Sequence, residues 1–291
     1  MIALRGTLGL SVARLAQVFD EPRSTVGRWI CPRLERERKP RRCPVSGNPE
    51  LRQKIKDLCE ALRHRTFGHR FICALLRRRH GIRINRKTVL RVMRSLGYTQ
   101  SRVFRKPGRP KRVEKMRPDC PNTAWQIDMT SFQLSDLTPA YLVTVLDCYT
   151  RQIVGWTLDR RCRASEWTAA VRLGLEARGL WSKQLCTGLT LRSDNGSQPC
   201  SKRFIEFLSE HGVTGQYTGY NAPDDNAYVE RVIRTIKAEE IWGNDYDTFT
   251  EAQEAIADYV QFYNSDRPHS SLDYRTPDET YQATHVSLKA A

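Results

Sequence analysis

Residues 124–158 read AWQIDMTSFQLSDLTPAYLVTVLDCYTRQIVGWTL, and three strand-like runs within this stretch decide the fold. Each run is rich in β-branched, aromatic and other apolar residues, which favour β-structure. We predict strands over residues 124–129, 141–146 and 152–158. The connections between them are short, so the three strands are expected to lie in one sheet.

Helices and strands alternate after this stretch. Apolar residues at helical spacing and short apolar runs predict helices over 165–178, 204–211, 226–242 and 250–263, and strands over 189–193 and 213–218. Three successive strands followed by alternating helix and strand predict an α/β fold, in which helices flank a mixed five-stranded sheet.

The distribution of charge divides the 291-residue chain into two halves. Residues 1–117 hold 32 Lys and Arg against 8 Asp and Glu, whereas residues 118–291 hold 16 against 24. A basic half neutralises phosphates, so nucleic acid is the expected partner. An anionic membrane surface is the rival, but the basic residues interleave with helical core patterns and do not flank an anchor.

The composition argues against membrane insertion and export. No run of about 18 apolar residues occurs, and the N-terminal stretch lacks an apolar core followed by a cleavage site. The nine cysteines are spread singly with no Cys-x-x-Cys pair. This spacing favours reduced thiols over a zinc site, and we expect a cytoplasmic protein.

The basic half is expected to be helical and to bind DNA. Residues 1–48 predict a helix-turn-helix with a linker, because two short helical patterns flank a break at residues 20–22. Residues 49–100 predict a second helical region, in which Gly81 ends one helix and Asn85 caps the next. The outer face of this last helix is cationic, as is typical of a helix that binds in the major groove. Its basic residues are Arg86, Lys87, Arg91 and Arg94. A solvated helical face is the alternative.

A basic linker over residues 101–118 joins the helical regions to the domain predicted over 119–291, which includes a C-terminal helical extension. Within the linker, Pro107-Gly108-Arg109-Pro110 resembles the Gly-Arg-Pro core of AT-hook peptides, in which the arginine enters the minor groove. Pro107 stands where the usual hook has Arg. Arg109 is therefore a candidate DNA contact, and a solvated spacer is the alternative.

Three carboxylates stand where an α/β sheet presents catalytic groups. Asp128 ends the first predicted strand, Asp194 follows another strand, and Glu230 lies on the helix over 226–242. Mg²⁺ and Mn²⁺ prefer oxygen ligands, and two such ions can clamp the attacking and leaving oxygens in phosphoryl transfer. We predict that these residues bind two divalent ions, although Asp128 taken alone would more often be a strand-end or turn residue.

Cations accompany the predicted catalytic helix. At about 100° per residue, Glu230, Arg234 and Lys237 share the side opposite the apolar arc. Lys237 lies two turns after Glu230 and is expected to contact a DNA phosphate as a point charge, with Arg234 beside it. A solvated lysine at a helix end is the alternative.

Three further polar residues lie near the carboxylates in sequence. Asn195 and Asn226 are expected to support the carboxylates, and a turn residue and a helix N-cap are the alternatives. Asp147 is expected to be a turn residue and not a fourth ligand.

These motifs together resemble the D,D(35)E signature of transposases and retroviral integrases, since 35 residues separate Asp194 from Glu230. The local strings are similar to those of the IS-three family of bacterial insertion-sequence transposases: W-x-x-D-x-T at 125–130, S-D-N-G-S-Q at 193–198, D-N-A-x-x-E at 225–230 and Y-N-x-x-R-P-H-x-x-L-x-Y-x-T-P at 263–277. The pattern from Thr66 to Gly97 looks like the helical region that precedes the catalytic core in the family's OrfB products. Val232 and Ile233 depart from the family, which more often has aromatic residues there.

The resemblance implies an RNase H-like core, magnesium dependence, and DNA cleavage and strand transfer without a covalent enzyme intermediate. It also implies the partners: terminal inverted repeats, target DNA, further copies of this chain and an upstream-frame, OrfA-type protein with the leucine zipper that this chain lacks. The location implied is the bacterial nucleoid within the cytoplasm. A zinc domain of the retroviral integrase type is not expected.

Two other functions fit part of the sequence. A regulator with an inactive RNase H-like domain would bind DNA without cutting it, but the carboxylates and Lys237 are intact. A nuclease for RNA in hybrid duplexes would use similar metal chemistry, but two basic helical regions before the core favour DNA.

Overall fold

The computed structural model describes residues 11–23, 25–26, 48–62, 67–99, 118–181, 188–218 and 226–290. The chain divides into two compact units, Met1–Pro49 and Glu50–Ala291. Within the described ranges, no helix is long and apolar enough to cross a bilayer.

The first unit contains helix α1 (Val12–Val18). The helix begins where the Ser11 hydroxyl accepts a hydrogen bond from the Arg14 N–H at 3.3 Å. Its apolar face buries Leu15 and Ala16 against Val26. Most of the second helix predicted before residue 30 lies outside the described residues.

Helix α2 (Pro49–Ala61) begins at the boundary between the units, and α3 (His69–His80) and α4 (Arg86–Ser95) follow it in the second unit. As predicted, Gly81 ends α3 in the left-handed conformation, with φ 65°. The Asn85 side chain caps α4 by accepting a hydrogen bond from the Lys87 N–H at 2.9 Å. Helices α3 and α4 pack against each other, and the polar side of α4 faces solvent.

A mixed five-stranded sheet forms the centre of the second unit, in the order β3-β2-β1-β4-β5. Its strands are β1 (Ala124–Gln133), β2 (Pro139–Asp147), β3 (Ile153–Asp159), β4 (Thr190–Ser193) and β5 (Thr214–Tyr217). The first three strands pair antiparallel, and β4 and β5 run parallel to β1. This is the mixed α/β sheet that the sequence pattern predicts, and it agrees with the RNase H-like core that the resemblance implies.

Helices cover both faces of the sheet: α5 (Ala164–Ala177), α6 (Lys202–Glu210), α7 (Ala227–Glu239) and α8 (Phe249–Ser265), followed by α9 (Pro277–Ala290). Leu142 and Leu146 of β2 pack with α7 and α8, whereas Val143 and Val145 pack with α5 and α6. This alternation follows from the two-residue period of a strand. It is why β2 is apolar at nearly every position.

Two predicted boundaries are wrong in ways that matter for the site. Asp128 does not end the first strand, because β1 continues to Gln133 and pairs with β2 throughout, with Asp128 opposite Thr144. The residues after Asp128 are mostly polar, so the search for apolar runs did not predict this part of the strand. The helix that carries Glu230 ends at Glu239, and Trp242 lies in a short 3₁₀ turn with 70% of its surface exposed.

Candidate active site

The register of the sheet brings Asp128 and Asp194 together. Parallel pairing between β1 and β4 ends with Gln126 opposite Arg192. Asp128 lies two residues beyond that pair on β1, and Asp194 lies two residues beyond it in the loop after β4. Neighbouring strands are about 4.8 Å apart, and residues at equal distances from a parallel pair project to the same face. The end of β4 therefore leaves β1 open beside Asp128, and Asp194 borders this opening.

The start of helix α7 is bound directly to β1, and this places Glu230. The Gln126 side-chain oxygen accepts hydrogen bonds from the Tyr228 and Val229 N–H groups, both at 3.1 Å. The Asn226 amide donates to the Ile127 carbonyl at 3.2 Å. Gln126 and Asn226 are both buried. The first turn of α7, which contains Glu230, is thus held against the strand that carries Asp128.

The electrostatics of Asp128 show which charges surround it. Burial raises the pKa of Asp128 to about 6, and the negative charges of Asp194 and Glu230 act in the same direction. A hydrogen bond from the Met129 N–H at 2.8 Å and the positive charge of Lys237 lower this pKa. The three carboxylates and the lysine predicted from sequence are therefore electrostatic neighbours in the fold.

The donor set fits a hard divalent cation, which binds carboxylate oxygens and would relieve the repulsion that raises the pKa of Asp128. The carboxylates do not yet converge as ligands. In the part of the chain that the structure describes, no three His, Cys, Asp or Glu side chains lie close enough to hold an ion together. One Asp194 oxygen accepts a hydrogen bond from the Gly196 N–H at 3.2 Å, which fixes that loop locally.

The predicted supporting residues have distinct contacts. Asn226 stands at the N-cap position of α7, but its side chain bonds β1 and makes no capping hydrogen bond. The Asn195 amide donates to the Thr218 carbonyl at 2.7 Å and ties the loop of Asp194 to the end of β5. The predicted turn role of Asp147 is confirmed, since its buried carboxylate accepts hydrogen bonds from the N–H groups of Asn122, Tyr149 and Thr150.

The candidate DNA-contact residues are mostly at the surface. Arg86, Lys87, Arg91 and Arg94 are exposed on α4. Arg234 is exposed on α7, and Lys237 is half-buried on the same helix. Arg109 lies outside the described residues.

Two groups of residues that hold the site were not predicted from the sequence. Gln126 is one; a polar residue inside an otherwise buried apolar strand was the available signal. The other joins the far end of α7 to the chain after α8. There Arg267 donates to Glu239 through Nε at 2.8 Å and through a second guanidinium nitrogen, and the Tyr259 hydroxyl donates to the same carboxylate at 2.7 Å.

The Y-N-x-x-R-P-H string at 263–269 supplies this second group. Besides Arg267, its Asn264 side chain bonds both backbone groups of Ile153, accepting from the N–H at 3.0 Å and donating to the carbonyl at 2.9 Å. The string therefore fastens the end of α8 to the edge strand β3 and to helix α7.

Comparison with known families identifies three matching segments. Residues 118–221 and 211–277 match Integrase core domain families, and residues 48–107 match an HTH-like domain family.

Individual proteins show the same similarity. The transposase for insertion sequence element IS904 of Lactococcus lactis is 32% identical over 212 residues, covering 68% of this chain and 81% of the relative. The putative transposase InsK for insertion sequence element IS150 of Escherichia coli is 25% identical over 247 residues. The alignment covers 81% of this chain and 84% of the relative. A chain in the cryo-EM structure of the simian T-cell lymphotropic virus intasome aligns with a TM-score of 0.49 at 17% identity. The alignment covers 72% of this chain and 73% of that chain.

Proposed function

Because the chain belongs to the insertion-sequence transposases, polynucleotidyl transferases that carry an integrase core domain, we propose that Asp128, Asp194 and Glu230 are its catalytic carboxylates. The observation that carries this assignment is that the charges of both other acids and of Lys237 act on the pKa of Asp128. The hydrogen bonds of Gln126 and Asn226 support it, because they preorganise the two elements that carry Asp128 and Glu230.

We infer that the three carboxylates hold two Mg²⁺ or Mn²⁺ ions. Divalent ions bound there would activate the attacking oxygen and stabilise the charge of the leaving oxygen. Asp194 is exposed, and Asp128 and Glu230 are half-buried, so these side chains retain surface that a DNA phosphate can reach. Asp194 lies just beyond β4, and its negative charge helps to raise the pKa of Asp128.

The reaction we propose has two phosphoryl transfers. Water cuts a phosphodiester at a terminal inverted repeat and leaves a 3′ hydroxyl. That hydroxyl then attacks a second phosphodiester and displaces another 3′ oxygen, which joins the strands. Lys237 steadies a phosphate next to the carboxylates. Among the described residues, no carboxylate lies within ion-pair distance of its ammonium, which leaves the cation available to DNA.

The remaining chain supplies DNA binding and assembly. We propose that α4 contacts the terminal repeat through Arg86, Lys87, Arg91 and Arg94, with Arg234 and Arg109 as further contacts. Strand transfer joins separate DNA ends, so we expect a homo-oligomer on DNA. An upstream-frame, OrfA-type partner would supply the zipper that the chain lacks.

Carboxylate variants test the assignment. Asp128→Asn, Asp194→Asn and Glu230→Gln should each abolish metal-dependent cleavage of terminal-repeat DNA and leave DNA binding nearly unchanged. Loss of a ligand should cost several kcal/mol of transition-state stabilisation, on the order of a thousandfold in rate. Glu206→Gln is a matched control, because Glu206 is an exposed acid on α6.

Cleavage within about tenfold of wild type in any of the three variants would remove that residue from the site. A wild-type protein that binds the repeat but never cuts it would favour the inactive regulator. Preferential cleavage of RNA in a hybrid duplex, measured by competition, would favour the ribonuclease.

A further inference from the structure

A groove rich in arginine lies between the helical region and the catalytic core. It has a volume of about 880 Å³ and is bordered by α3, by the turn between α3 and α4, and by the turn that follows the 3₁₀ segment Ser270–Leu272. Its basic side chains are Arg70, Arg77, Arg78, Arg83, Arg86 and Arg275. We call it the arginine groove.

Most of these charges are not neutralised within the protein. Arg78 is paired with Glu279 at 2.6 Å. In the described ranges, Arg70, Arg77, Arg83, Arg86 and Arg275 have no carboxylate within ion-pair distance, and all five are exposed. Asp273 and Glu279 are the acids that border the groove. The groove therefore concentrates positive charge well beyond what its acids balance, and an anionic occupant would relieve the repulsion.

The two walls of the groove are held at a fixed separation. Arg78 of α3 binds both oxygens of Glu279 on α9, and Arg79 pairs with Asp266 after α8. The guanidinium of Arg267 lies 5.5 Å from the centre of the Phe71 ring on α3. Helix α3 is thus bound to the core at several points. These contacts fix the distance between the two walls, so we expect the groove to stay open.

The turn that carries Arg275 is also fixed. Asp273 and Tyr274 are consecutive non-glycine residues with positive φ, 53° and 64°. That conformation is costly, so it persists only where other contacts enforce it. Here Tyr274 N–H donates to the His269 carbonyl at 2.8 Å, and the Arg275 carbonyl accepts from His269 N–H at 3.0 Å. The strained turn projects Arg275 from the core toward the arginines of the helical region.

We propose that the arginine groove binds the phosphate backbone of duplex DNA and thereby holds α4 in register over the major groove. Arg86 belongs to both surfaces, since it lines the groove and is the first residue of α4. Arginine forks match phosphate oxygens in bidentate fashion, and backbone contacts position a recognition helix without reading sequence. The proposal rests on the proposed function for its choice of DNA as the polyanion.

The test is the salt dependence of DNA binding by the full chain, measured by fluorescence anisotropy without divalent metal. Arg83→Gln and Arg275→Gln remove one charge from each wall. Each should weaken binding roughly five- to tenfold and lower the slope of log affinity against log salt by about 1. The double variant should lower the slope by about 2. The loss should be equal on repeat and unrelated duplexes, because backbone contacts carry no sequence information.

Arg203→Gln is the matched control, because Arg203 is an exposed arginine on α6 that does not border the groove. Unchanged slopes in both groove variants, or a loss no larger than that of Arg203→Gln, would overturn the proposal. Displacement of DNA by polyglutamate of equal charge at equal concentration would also overturn it, in favour of an acidic protein partner. These measurements involve no cleavage. Active carboxylate variants would therefore refute the catalytic assignment and leave the groove result standing.

Discussion

Gln126→Met should separate the positioning of α7, the helix that carries Glu230, from the chemistry of the proposed site. Methionine has a similar volume but no hydrogen-bond acceptor of comparable strength. The substitution would leave the N–H groups of Tyr228 and Val229 without the side-chain oxygen that now accepts both at 3.1 Å. These groups are at the start of α7, where no intrahelical partner exists for them.

The expected cost follows from burial. Val229 has no exposed surface and Gln126 has 1%, so water cannot replace the lost acceptor without rearrangement. A buried unsatisfied donor costs about 1–3 kcal/mol, and Tyr228 is only half-buried, so the pair should cost about 2–4 kcal/mol. For a unit of this size, that corresponds to a fall in Tm of roughly 5–15 °C.

The assay is thermal unfolding beside single-turnover cleavage well below the Tm. A displacement of about 1 Å in a catalytic group can cost about a hundredfold in rate, so cleavage should fall by that order while the protein remains folded. Thr144→Val is the matched control. Thr144 lies opposite Asp128 on β2, is fully buried, and its hydroxyl has no hydrogen-bond partner in the described structure. Its loss should be neutral or stabilising.

A Gln126→Met protein with the Tm and cleavage rate of wild type would show that these two hydrogen bonds do not position α7. It would mean that α7 is placed by its apolar contacts alone. A lower Tm with an unchanged cleavage rate at low temperature would show that Gln126 contributes to stability and does not position the site.

Further predictions concern Lys237, Arg267 and His269. Lys237→Ala should lower cleavage and repeat binding together by roughly 1–3 kcal/mol, and Lys237→Arg should recover part of both. If Lys237→Ala cleaves and binds like wild type at low and physiological salt, Lys237 is a solvated lysine without a role in DNA binding. Arg267→Met should destabilise the protein by about 3–5 kcal/mol in urea unfolding, because it leaves the buried Glu239 without its cation, whereas a cost below about 1 kcal/mol would contradict the buried pair. Burial and the charges of Arg267 and Arg151 lower the pKa of His269 to about 3. The unfolded chain takes up this proton near pH 6.5 and the native protein does not, so acid should reduce stability between about pH 6.5 and 3, by up to about 1.4 kcal/mol per pH unit. His269→Gln should flatten that part of the stability profile, and parallel profiles for the two proteins would count against a neutral buried His269.

Short-range features of this protein were determined by the sequence itself. Apolar periodicity located β1 to β5 and the helices around them, because burial repeats every two residues in a strand and every 3.6 residues in a helix. Gly81 and Asn85 marked the turn before α4, since left-handed backbone and helix capping are preferences of single residues. The positions of Asp128 and Asp194 at the ends of predicted strands, with the resemblance to the D,D(35)E signature, indicated the candidate carboxylates.

The contacts between distant segments became visible in the folded chain alone. Pairing with β2 placed Asp128 in mid-strand, and the early end of β4 opened the sheet beside it. Gln126 became the acceptor for a helix about a hundred residues later, and Arg275 joined Arg83 across the arginine groove. Such contacts depend on strand register and on the packing of helices against the sheet. No local pattern encodes them, because each is the outcome of many weak interactions distributed over the whole core.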